Sequence, residues 1–146
     1  MLDTIDFLKD VEQGDAIFYA SQKTGISCTN IFLAAVDKVR KSRFLPEEQV
    51  QINNLASAAC LTDNPDVVWQ ISRVESNFRA YIVNVGGKEI LLGDAAVRYL
   101  KLSLKKTDNI DIGPLQINWR ANGSRYRYSP LDYFNGKFSV EFLSTH

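Results

Sequence analysis

Apolar residues recur every three or four positions along much of the chain, the spacing that gives a helix one buried face. Leu2, Ile5, Leu8 and Val11 form the first such stripe behind a cap at Asp3, and Gly14 interrupts it. A second helix is expected over 15–23, closed by Gly25. Ile31, Phe32, Ala35, Val36 and Val39 make a further stripe, with Thr29 or Asn30 as its cap. Pro46-Glu47-Glu48 has the composition of a first helical turn, and Val50, Ile52, Leu55 and Ala59 continue the pattern. The strongest start signal is Asn64-Pro65-Asp66: a capping residue, a proline where its missing N–H costs nothing, then an acid favoured by the helix dipole. That helix is expected to run to about Glu75.

The pattern then changes. Tyr81 to Val85 and Lys88 to Leu92 flank Gly86-Gly87, which predicts a compact β-hairpin. Asp94 is expected to cap a helix whose Val97, Leu100 and Leu104 share a face. From Thr107 to Ser129, Asn, Asp, Gly and Pro dominate and predict loop. Ser129-Pro130 reopens helix, and Phe138 to His146 carries no stop signal. Without repeats, low-complexity tracts or a linker, the chain reads as one domain over 1–146. It is mainly α, with a helical part over 1–60 and a small β-hairpin inside 61–146.

Composition changes this picture little. The chain is 45% hydrophobic and 23% charged, as ordinary globular proteins are. Seventeen Lys and Arg balance seventeen Asp and Glu, so no overall field favours nucleic acid or an anionic membrane. The run Arg120, Arg125 and Arg127 with Tyr126 and Tyr128 therefore reads as a cleft rim or solvated loop. No apolar run reaches the roughly 20 residues of a membrane span. The single histidine, His146, leaves no Ser–His or Cys–His pair and no zinc site, so neither metal nor cofactor is expected. Cys28 and Cys60 read either as buried free thiols or as a disulfide, and an exported protein would favour the bond.

One residue stands out on helical geometry. At about 100° per residue, Val67, Val68, Ile71 and Val74 fall in one arc, and Glu75 falls inside it. Trp69 lies opposite that arc and is expected to pack on the preceding helices. A carboxyl on an apolar face, in the last turn where the dipole opposes negative charge, is held toward its protonated form, as a general acid requires.

Val74-Glu75-Ser76-Asn77-Phe78 is followed, after the hairpin and helix, by Asn109-Ile110-Asp111-Ile112-Gly113-Pro114-Leu115-Gln116-Ile117-Asn118-Trp119. In these two segments the chain resembles the soluble lytic transglycosylases, and within them the small enzymes of type IV secretion and conjugation. The resemblance spans about residues 60–135. It implies a lysozyme-like domain with extra N-terminal helices. It further implies a periplasmic location after removal of a signal peptide, with peptidoglycan glycan strands as substrate and secretion-system proteins as partners. Position by position, it makes Glu75 the catalytic acid and Ser76 its positioning neighbour. Gln116 becomes a substrate hydrogen-bonding residue, Gly113 the point of close backbone approach, and Asn118 and Trp119 cleft residues. Asp111 would hold the loop through backbone N–H groups.

The chain departs from that pattern in two places. Pro114 and Leu115 stand where relatives carry Leu and Met. A later family segment, whose Tyr contacts the catalytic Glu, has no counterpart before His146. Either the domain is truncated at its C-terminus, or Tyr126, Tyr128 or Tyr133 takes that role. A single acid suffices for a transglycosylase, whereas a hydrolysing muramidase would draw a second carboxylate from Glu89, Asp94, Asp108 or Asp111. A non-catalytic glycan-binding component of such an apparatus is the alternative of another class.

Overall fold

The computed structural model describes residues 17, 21, 25–40, 42–105, 107–126 and 128–145. Ile17 and Ser21 are helical. The rest of the helices expected over 2–11 and 15–23 lies outside the described residues.

Helix α1 spans Cys28–Val39, starting ahead of both expected caps. The cap is Ser27, whose hydroxyl accepts the Asn30 N–H at 3.3 Å. Helix α2, Pro46–Ala59, starts on its proline as predicted. Helix α3, Pro65–Ser76, also opens on proline, although the Asn64 side chain makes no capping bond. A hairpin follows, β1 (Ile82–Val85) against β2 (Glu89–Leu92), with Val85 paired to Glu89 across a turn of Gly86, Gly87 and Lys88. Helix α4 is Asp94–Leu102, capped by Gly93, so Asp94 is its first residue and not its cap.

The expected loop over 107–129 contains structure that the sequence pattern conceals. Strands β3 (Ile110–Ile112) and β4 (Ile117–Asn118) add to the hairpin in the order β2-β1-β3-β4, antiparallel throughout. Helix α5 (Trp119–Tyr126) follows, then a 3₁₀ turn (Pro130–Phe134) and α6 (Gly136–Thr145). The molecule is thus mainly α with a small four-stranded antiparallel sheet, larger than the predicted hairpin.

Helix α6 packs chiefly on α2, so the last helix shares one core with helices from the first half of the chain. Their approach depends on Gly136: a Cβ there would fall 2.1 Å from the Gln51 carbonyl oxygen. Cys28 and Cys60 form a disulfide, with Cα atoms 5.9 Å apart. It fastens the start of α1 to the residue after α2. Among the described residues, no helix is long and apolar enough to cross a membrane.

Candidate functional site

Helix α3 buries a face other than the expected one. Pro65, Val68, Trp69, Ser72 and Ser76 are buried, while Val67 and Val74 are 49% and 77% exposed. Helix α3 packs on α1 and α2, and the Trp69 ring lies 5.3 Å from the Phe78 ring. The indole is the largest apolar surface on this helix, and the small serines at the next turns let neighbouring backbone approach. Burial of Trp69 against the preceding helices agrees with the expectation for that residue. It also turns Glu75 outward: the carboxylate is exposed. The apolar setting expected for it is absent.

Immediately after Glu75 the backbone takes an unusual path. Asn77 and Phe78 both have left-handed φ angles, 51° and 59°. Such angles are uncommon outside glycine and rare for a bulky side chain, and each costs on the order of 1–3 kcal/mol. Several contacts hold the turn. The Asn77 and Phe78 N–H groups donate to the Arg73 and Ser72 carbonyls at 3.2 and 3.3 Å, closing the helix end. The Phe78 side chain is fully buried. From outside the helix, Arg40 donates to the Phe78 carbonyl at 2.8 Å and to the Glu48 carboxylate at 2.6 Å. The second Glu48 oxygen accepts the Ala80 N–H at 3.2 Å. Arg40 and Glu48 have side chains only 7% and 14% exposed, so this ion pair is largely shielded from water. Sequence reasoning missed both: Glu48 read as part of a helix start, and nothing in the pattern around Arg40 marks it.

The segment from Gly113 to Asn118 meets this turn. The Ser76 hydroxyl lies 2.9 Å from the Ser72 carbonyl and 2.8 Å from the Pro114 carbonyl, so its one proton is shared between them. One buried hydroxyl therefore joins the residue after Glu75 to the glutamine loop. Gln116 is the third left-handed residue, at φ 52°. Its backbone N–H and side-chain amide both donate to the Gly113 carbonyl, at 3.0 and 2.9 Å. Among the described residues, the three non-glycine residues with left-handed φ all belong to these two adjoining segments.

Other expected site residues have structural tasks here. Gly113, with φ 82°, faces the 3₁₀ turn: a Cβ would sit 1.8 Å from the Tyr133 carbonyl oxygen. Its close approach is to this chain's own backbone. The Asn118 amide donates to Asn109 and Asp111, each at 2.9 Å, and its oxygen accepts the Ala121 N–H at 2.9 Å. Asn118 thus ties β3 to the start of α5. Asp111 holds the loop through this amide, not through backbone N–H groups as expected. Trp119 makes a T-shaped contact with Tyr133 at 6.3 Å and is only 9% exposed, so little of its ring is offered to a sugar.

Of the tyrosines, Tyr133 and Tyr128 pack with Phe138 and Phe142 of α6. The side chain of Tyr126 lies outside the described residues. Of the second acids, Asp108 accepts from the Tyr99 hydroxyl at 3.1 Å and the Lys105 N–H at 2.9 Å. Glu89 and Asp94 are exposed. Among the described residues, His, Cys, Asp and Glu form no cluster able to hold a metal ion. The chain matches no protein-family model, and no characterised protein or solved structure matches it.

Proposed function

We propose that the chain cleaves the glycan strands of bacterial cell wall as a lytic transglycosylase with a lysozyme-like fold, Glu75 being its catalytic acid. The observation that carries this reading is the bond from Ser76 to the Pro114 carbonyl. It joins the two segments that resemble the family, and both carry left-handed residues that cost energy to hold. Strain of this kind collects where geometry serves function.

In this reading Glu75 protonates the glycosidic oxygen between muramic acid and glucosamine. As a carboxylate it then takes the proton of the sugar's own 6-hydroxyl, and a 1,6-anhydro ring closes on muramic acid. No second carboxylate takes part. Because Glu75 is exposed, its shielding from water must come from the seated glycan. Gln116 donates one amide N–H to the Gly113 carbonyl, which leaves its second amide N–H and its carbonyl oxygen for sugar hydroxyls. The Cys28–Cys60 bond favours an oxidising compartment such as the periplasm, where wall substrate is found. Local opening of the wall for a secretion or conjugation apparatus is the corresponding role.

The exposure of Glu75 and the burial of Trp119 favour one second reading, a non-catalytic component that docks on glycan or apparatus proteins. Mass spectrometry of digested sacculi separates the readings. Anhydro-muropeptides that disappear with Glu75→Gln support the transglycosylase, and reducing ends would mean a hydrolytic muramidase. Intact sacculi would leave the docking component.

A further inference from the structure

A groove of about 680 Å³ is lined in part by Arg40 and Glu48, and its volume is in the size range of ligand pockets. That ion pair holds Phe78 and Ala80, and Arg79 also lines the groove, so it adjoins the turn that follows Glu75. Arg40 and Glu48 neutralise one another. Four further charged groups line it: Arg43 and Arg79, Glu47 and Asp94. Arg79 is half-buried, four residues after Glu75, and the others are exposed. Among the described residues, none of these four side chains has a hydrogen bond or an ion-pair partner within 4.0 Å. Tyr81 and Leu92 add apolar surface between the charges.

We infer that this groove binds a short zwitterionic peptide, one bearing both free carboxylate and free ammonium groups. A purely anionic ligand would meet Glu47 and Asp94, and a purely cationic one would meet Arg43 and Arg79. A neutral sugar could hydrogen-bond these groups but would supply none of them with a counter-charge. A peptide carrying both signs can satisfy both sets while its side chains cover Tyr81 and Leu92. The inference deepens the proposed function, because the peptides attached to wall glycan have this chemistry. It rests on that reading only for the source of the peptide.

The test uses the full chain and a synthetic Ala-Glu-Lys-Ala peptide with free termini, with binding read by two-dimensional amide NMR. A second titration uses the same peptide with its lysine and N-terminus acetylated and its carboxylates amidated. A third uses the peptide joined to a muramyl sugar, which separates free from glycan-borne peptide as the source. Saturable shifts at the Arg79, Gly93 and Asp94 amides are expected with the free-charge peptides. The capped peptide should bind at least about tenfold more weakly. Arg79→Gln and Asp94→Asn should each weaken binding about fivefold, the upper range for a solvent-accessible ion pair. Absence of saturable shifts, equal binding of the capped peptide, or unchanged affinity in both variants would overturn the inference. Glycan cleavage is scored separately. Peptide binding without cleavage defeats only the catalytic reading, and cleavage without peptide binding defeats only this one.

Discussion

Replacing Glu48 by glutamine should loosen the turn after Glu75. The wild-type carboxylate accepts Arg40 with one oxygen and the Ala80 N–H with the other. Glutamine has a single acceptor oxygen, so one of these donors loses its partner. The Arg40 guanidinium, 7% exposed, also loses its counter-charge. Its remaining contacts are the Phe78 carbonyl, Ser42 at 3.2 Å and the Phe44 ring 3.8 Å from its central carbon. Removing one partner of a buried pair costs about 3–5 kcal/mol, because a charge is left buried and uncompensated. Arg40→Met is expected to cost a similar amount, since it strands the Glu48 carboxylate and the Phe78 carbonyl. The double variant leaves no charge behind, so its loss should fall short of the sum by about 1–3 kcal/mol. Urea unfolding of the four proteins, with the disulfide intact, measures this cycle. Amide exchange at Phe78 and Ala80 reports the turn itself and should quicken in both single variants. Single losses within about 0.5 kcal/mol, the level of an ordinary surface change, or strictly additive losses, would refute the idea that this pair holds the turn.

The frame around the site can be tested in the same way. Cys28→Ser/Cys60→Ser removes a bond across 32 positions and is expected to lower stability by about 3–4 kcal/mol by chain entropy, read by urea unfolding; thiol titration of unreduced protein should find no free thiol. Gly113→Ala combines a disfavoured φ with a Cβ 1.8 Å from a carbonyl oxygen, and is expected to cost more than about 3 kcal/mol. Gly87→Ala, with similar φ and no neighbour within 4 Å, should cost only about 1 kcal/mol, and equal melting points for the two would contradict the steric account. Burial raises the Asp66 carboxyl above its ordinary range, opposed by the Ile17 N–H bond at 2.5 Å. A raised folded-state value favours folding at low pH, and that contribution is lost as pH rises through it. The stability of wild type relative to Asp66→Asn should therefore increase as pH falls from neutral toward about 4, and a flat or opposite trend would reject the assignment.

The sequence alone determined those features that arise from neighbours along the chain. Pro46 and Pro65 set the starts of α2 and α3, because a proline is tolerated in the first turn and disruptive further in. Gly86-Gly87 set the hairpin, because both residues take left-handed φ. The two segments around Glu75 and Gln116 were also legible as sequence. Tertiary structure decided the rest. Strands β3 and β4 hold three and two residues, too few for alternation to stand out from loop, and they exist because β1 offers an unpaired edge. Periodicity alone gives α3 the wrong orientation, because it weighs all apolar residues alike. Packing favours the single arrangement that buries Trp69 and brings Ser76 to Pro114. The left-handed Phe78 and its Arg40–Glu48 support leave no local trace. A strained backbone angle is set by distant groups that over-determine it, and here those groups meet only after the helices have packed.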